Sequence, residues 1–182
     1  MTVKEIIITA CEMLEQNELA EKLQGGLELI EEETLVLNQL IKAYNFIQNE
    51  LATEFVPLIH KESIGSKEGC FSLSKLEKRL AYIVSFKDGY AQNLKYKIIG
   101  DKLIFEGKGE LTYCYCPEKA TIDDESLLLV PERVVAYGIL REYFLLNTCP
   151  SEASHYETKF KNSLFNFSRK KSEIVMPSHI WK

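Results

Sequence analysis

The stretch 94–164 constrains the fold more than any other, because its apolar period changes from two to about 3.6 partway along. Residues 94–99 and 102–105 read as strands flanking Gly100-Asp101, a two-residue connection suited to a primed hairpin turn. Gly107 and Gly109 bracket a further turn. Leu111, Tyr113 and Tyr115 then alternate with Thr112, Cys114 and Cys116, the pattern of a strand covered on both faces. After an acidic crossing at Asp123-Asp124-Glu125 the pattern becomes helical. Pro131 is placed as the first residue of a helix, and 134–146 is apolar nearly all round, which predicts a buried central helix. Gly138 within it is disfavoured by about 1 kcal/mol against alanine, so another backbone is expected to pack closely there. Cys149-Pro150-Ser151 separates this helix from a last one, with Ser151 as its cap and Ala153, Tyr156, Phe160, Leu164 and Phe167 as its stripe.

Upstream, Val3, Ile6, Ile7, Ala10, Cys11, Met13 and Leu14 repeat at helical spacing behind Thr2, a candidate N-cap. Gly25-Gly26 marks a break. The residues 31–55 predict a long helix with the stripe Leu37, Leu40, Ile41, Tyr44, Ile47 and Leu51. Its first turn holds Glu31, Glu32 and Glu33 at the positive end of the helix dipole, and Pro57 stops it. Residues 65–70 read as a loop and 80–86 as a strand, with Asp88-Gly89 as a turn.

These elements predict an α+β fold. A mainly helical core of about four helices carries an inserted antiparallel β-meander, counted as four strands, and an extended C-terminal tail. The expected domain is 1–171, with the helical core at 1–57 and 131–171 and the β insertion at 80–117. Residues 172–182 contain Pro177 and no helical period, and read as an arm that docks on its own domain or a neighbour.

With 46% hydrophobic and 27% charged residues, the chain can bury enough apolar surface to offset its ordering entropy. The net charge of −5 argues against wholesale nucleic-acid binding, which needs a positive field. Five cysteines at scattered spacing do not form a disulfide framework. Lys4, Glu5, Glu12 and Glu15 interrupt the early apolar run, so no signal peptide is expected, and no stretch reaches the ~20 apolar residues of a membrane span. Membrane binding by the first helix is disfavoured by its acidic polar side.

Candidate chemistry is sparse. Cys114 and Cys116, two apart on a strand, point to one side, but a structural zinc site needs about four ligands, and Cys149 or His155 would have to complete it. Two buried small hydrophobes is the competing reading. Asp123, Asp124 and Glu125 lack the glycine-punctuated frame of a calcium loop and read as an outward-facing solvated loop. His60, His155 and His179 sit in no catalytic motif, and no catalytic residue, cofactor site or metal site is assigned. The basic-aromatic run 159–171, with Phe165 and Phe167 among Lys159, Lys161, Arg169, Lys170 and Lys171, could stack bases, although such residues more often serve core, interface and solvated surface.

The order of elements resembles the head–tail connector, or neck adaptor, proteins of tailed bacteriophages. The likeness is carried by Tyr96-Lys-Ile-Ile-Gly-Asp-Lys-Leu-Ile-Phe105, Gly109-Glu-Leu-Thr-Tyr-Cys-Tyr-Cys-Pro117 and the acidic link. It continues through Pro131-Glu-Arg-Val-Val-Ala-Tyr-Gly-Ile-Leu-Arg-Glu-Tyr-Phe144, Ser151-Glu-Ala-Ser-His-Tyr-Glu-Thr-Lys-Phe160 and the early helices. The resemblance implies a non-enzymatic virion protein without cofactors, assembled in the bacterial cytoplasm into a dodecameric or hexameric ring of the neck. Such a ring would meet the portal protein and adjacent neck or tail proteins, and would let double-stranded DNA pass without specific binding. A tail-tube or baseplate adaptor is a near neighbour of this reading, and a small metal-binding enzyme or regulator is its alternative from another class. The expected interface residues are Ile174, Val175, Met176, Ile180 and Trp181 of the tail, and Gly100 and Asp101 of the hairpin. Trp181 is the expected anchor, since large aromatics concentrate binding energy.

Overall fold

Local rules start the chain as its spacing predicts. The computed structural model describes residues 1–65 and 69–172, with side chains of the last helix described through Ser168. By its contacts the chain divides into two compact units, Met1–Gln48 with Lys119–Lys182, and Asn49–Glu118. The fold is α+β, with five α-helices and two small antiparallel sheets among the described residues.

In the helical unit, α1 (Val3–Met13) is closed by a reciprocal capping box. The Glu5 N–H donates to Thr2 Oγ1 at 3.2 Å, and the Thr2 N–H donates to Glu5 Oε2 at 2.7 Å. The helix buries Val3, Ile6, Ile7, Ala10 and Cys11. α2 (Asn17–Gly25) ends on Gly26, which takes the left-handed conformation (φ +66) that lets the Leu27 N–H reach back to the Lys22 carbonyl at 2.9 Å. α3 (Glu31–Glu50) buries Leu40, Ala43, Tyr44, Ile47 and Gln48, while Leu37 and Ile41 of its stripe are half-buried. A π-helical turn, Leu51–Phe55, follows it where the sequence predicts continued α-helix.

Pro131 caps α4 (Glu132–Leu146) instead of opening it. Val134, Val135, Ala136, Gly138, Ile139 and Leu140 are buried, but the last turns emerge, with Leu145 52% and Leu146 41% exposed. The central-helix expectation therefore holds for the first half of α4, which packs on both α1 and α5. The helix α5 (Pro150–Ser172) begins at Pro150, so Ser151 lies inside its first turn and is not the cap. The Ala153 N–H instead reaches the Cys149 carbonyl at 3.1 Å. Ala153, Phe160 and Leu164 of the predicted stripe are buried.

Among the described residues the β unit holds six strands in two sheets, where the sequence reading counts four in one meander. It also begins earlier than the expected 80–117, with two strands that the sequence reading leaves out, β1 (Ile59–Gly65) and β2 (Cys70–Ser72). They are followed by β3 (Leu80–Lys87), β4 (Lys97–Ile99), β5 (Lys102–Ile104) and β6 (Lys108–Tyr115). The first sheet has the order β1-β6-β3 and the second β2-β5-β4, so the last strand in sequence is central to the first sheet. That place explains the covered faces of β6: Leu111, Tyr113 and Cys114 have no exposed surface. The two sheets share one core, in which Ile64, Phe86, Leu111 and Tyr113 meet Leu103 and Phe105. The Phe86 and Phe105 rings meet edge to face at 4.7 Å.

Candidate functional site

Gly100 and Asp101 form the two-residue turn of the β4–β5 hairpin, as the spacing predicts. Of the two, only Gly100 has a positive φ (+61), the distribution found where glycine takes the first central position of a II′ turn. Asp101 ties the turn to the neighbouring chain segment. Its carbonyl accepts the Leu73 N–H at 2.7 Å, and its carboxylate accepts the Ser72 hydroxyl at 3.2 Å. Both turn residues are exposed.

Lys97 faces Ile104, Ile98 faces Leu103 and Ile99 faces Lys102 across this hairpin. Because side chains alternate, Leu103 enters the core while Lys97, Ile99, Lys102 and Ile104 share the opposite face. Ile98 is 47%, Ile99 51% and Ile104 39% exposed, with Tyr96 42% exposed beside them. Being about half buried already, each isoleucine would gain roughly 1 kcal/mol on full burial. The outer face thus carries Ile99 and Ile104 between Lys97 and Lys102, while Ile98 lies on the Leu103 side and the Tyr96 ring meets that of Phe86 at 6.1 Å. The five predicted tail residues, Ile174, Val175, Met176, Ile180 and Trp181, lie outside the described residues, as does the expected arm 173–182.

Cys114 points away from solvent and its thiol donates to the Ala52 carbonyl at 3.2 Å. Cys116 lies just past the end of β6, half-buried, and its N–H donates to the Arg79 carbonyl at 2.9 Å. Cys149 and His155 belong to the helical unit. Among the described residues no group of three or more His, Cys, Asp or Glu is placed to hold a metal ion. Burial pushes the thiol of Cys11 up to about 11.

The acidic link does more than face water. The Asp124 carboxylate accepts the Thr121 N–H at 2.6 Å and its hydroxyl at 2.9 Å, bonds that hold its pKa below the usual carboxylate range, the backbone bond foremost. The Asp124 carbonyl accepts the Val3 N–H at 3.0 Å, and Ser126 donates to the Met1 carbonyl at 3.1 Å. Together with a β-bridge between Thr2 and Glu125, these bonds fasten the start of α1 to the segment leading into α4.

The described cations of the basic run are already engaged within the helical unit. Lys159 lies 5.1 Å from the ring centre of Tyr156 and 5.7 Å from that of Tyr137. Lys161 pairs with Glu157 at 2.6 Å, and Arg141 reaches the same carboxylate at 2.9 Å. Phe165 is exposed and Phe167 half-buried, while the side chains of Arg169, Lys170 and Lys171 lie outside those described.

One polar cluster escapes the sequence reading. The Tyr113 hydroxyl accepts the Lys78 N–H and donates to Glu62 Oε2, both at 3.2 Å, and Glu62 Oε2 also accepts the Glu77 N–H at 3.1 Å. Burial raises the Tyr113 pKa, the Lys78 bond lowers it and the Glu62 carboxylate raises it further. His60 Nε2 lies 3.2 Å from Glu77 Oε2 but outside hydrogen-bond geometry, so this contact is electrostatic and present only with a protonated ring. The His60 ring meets Tyr113 edge-on at 5.6 Å and Tyr115 at 6.4 Å. His60 and Glu62 alternate correctly for one strand face, but only the β1–β6 register brings them to Tyr113. The cluster pins the segment between β2 and β3 to the first sheet.

No helix among the described residues is long and apolar enough to cross a membrane. No protein-family model matches the chain, and no curated protein matches it.

Proposed function

We propose that the chain is a structural adaptor of a tailed phage or prophage particle, forming a ring that joins the portal and head to the tail and lets DNA pass. The observation that carries this reading is the outer face of the β4–β5 hairpin, where half-exposed Ile99 and Ile104 lie between Lys97 and Lys102, on a turn tied by Asp101. A hairpin with such a face is suited to contact between subunits. The resemblance in the order of elements supports the same reading, and a net charge of −5 suits a channel that DNA must slide through without being held. In this reading the partners are further copies of the chain, the portal protein and the adjoining neck or tail proteins, and the place of action is the virion neck.

Electron microscopy of the purified full chain, alone and mixed with the portal protein encoded beside it, tests the proposal. Closed rings, or a ring seated on the portal, are expected. A persistent monomer that joins no particle, or a gene with no portal, scaffold or tail genes around it, overturns it.

A further inference from the structure

We infer, resting on the reading above that copies of the chain join, that the outer face of the β4–β5 hairpin docks on residues 27–35 of a second copy. On that face Ile99 sits beside Lys102 and Lys97 beside Ile104, so the isoleucines occupy one diagonal and the lysines the other. All four side chains are exposed, and neither lysine has an ion-pair partner among the described residues.

The helical unit carries the complementary surface. Residues 1–48 hold nine carboxylates against three cations, whereas residues 49–118 hold ten of each, so the acidic excess of the chain lies in its opening segment. Glu33 is taken up there by the Lys22 ammonium at 2.6 Å and by the Ile30 N–H at 2.9 Å. Glu28, Glu31 and Glu32 are exposed and have no such partner among the described residues. Leu27, Ile30 and Leu35, in the same stretch, are each more than half exposed. Leu35 follows Glu31 by four positions and Glu32 by three, so the three share one face of α3 within a turn. A leucine beside two unpaired carboxylates matches isoleucines framed by two unpaired lysines in both polarity and charge. Burial of the aliphatic side chains would supply affinity, and the charges would select the partner and its orientation. Because two different surfaces meet, the contact repeats head to tail from copy to copy, the geometry from which rings close.

Sedimentation velocity on the full chain tests this. Lys97→Glu with Lys102→Glu in one variant, and Glu31→Lys with Glu32→Lys in another, should each raise the dissociation constant of self-assembly about tenfold or more, because like charges then face each other. All four substituted side chains are exposed, so the fold should tolerate the changes. Mixing the two variants should restore assembly, since every junction again pairs opposite charges. Neither misfolding nor docking of the hairpin on its own molecule can give that rescue. Self-assembly indifferent to both reversals overturns the inference and leaves the adaptor reading standing. Loss of portal binding with self-assembly unchanged does the same, and assigns the face to the portal. Variants that keep the native circular dichroism and stay apart when mixed also overturn it. A full chain that never self-associates overturns the adaptor reading itself.

Discussion

Gly138 of α4 and Ile47 of α3 pack so closely that a Cβ at position 138 would lie 2.9 Å from Ile47 Cγ2. The same atom would meet the Phe160 ring at 3.0 Å, and both neighbours are fully buried. The close approach anticipated at this glycine is thus real, but what meets it is a pair of side chains and not a backbone.

Gly138→Ala should therefore destabilise the protein, although alanine is the better helix former by about 1 kcal/mol. Overpacking a filled core costs about 1–3 kcal/mol, leaving a net loss of up to ~2 kcal/mol in denaturant titration. A gain in stability would mean that α3 and α5 yield without strain.

Gly109→Ala should be worse. Its Cβ would come within 2.5 Å of the Lys87 carbonyl oxygen and 2.8 Å of the Phe86 ring. A backbone oxygen in a ladder cannot rotate away, so a loss of about 3 kcal/mol or more is expected, checked by the same titration.

Tyr113→Phe should cost about 1–2 kcal/mol, because the Lys78 N–H loses its acceptor and Glu62 a donor. Faster amide exchange at Lys78, with little change in the helical unit, is the accompanying signature. Uniform loosening of both units would show that the hydroxyl is not a local pin.

Acid should loosen the link between α1 and the segment before α4. The folded pKa of Asp124 is depressed, so its stabilising contribution is present above the unfolded value of about 3.9 and is lost as pH falls through the folded value. Asp124→Asn should lower the melting temperature at pH 7 and have less effect at pH 3. Equal effects at both pH values would remove the ionised carboxylate from the account.

Thiol labelling should rank with burial. Cys70 is exposed and should react first with iodoacetamide at pH 8, while Cys11 and Cys114 should stay unmodified until the chain unfolds. For Cys11 the raised pKa of about 11 adds to the steric block. Peptide mass mapping across a denaturant series reads this directly, and early labelling of Cys114 would contradict its place against Ala52.

Much of this architecture was legible because it is governed by neighbours along the chain. The capping box at Thr2 and Glu5, the stripe from Leu40 to Ile47 and the turn at Gly100 each depend on residues within a few positions of one another. The helix α5 starts two residues before the position that a cap at Ser151 predicts, since Pro150 also suits a helix opening. β1 was missed because Ile59, Lys61 and Ser63 alternate with His60, Glu62 and Ile64, which gives no clean apolar face. β2, with Cys70, Phe71 and Ser72, is too short to carry a period.

The amino-acid order by itself determined where helices begin, which faces they bury and where the hairpin turns, since dihedral preferences and side-chain spacing act over one or two turns of chain. Only the tertiary structure decided that β6 lies between β1 and β3, that His60 and Glu62 reach Tyr113, and that the isoleucines of the hairpin are left outside the core. Strand pairing joins residues tens of positions apart, and the free energy that selects one register comes from the shared core, which no local window of sequence contains.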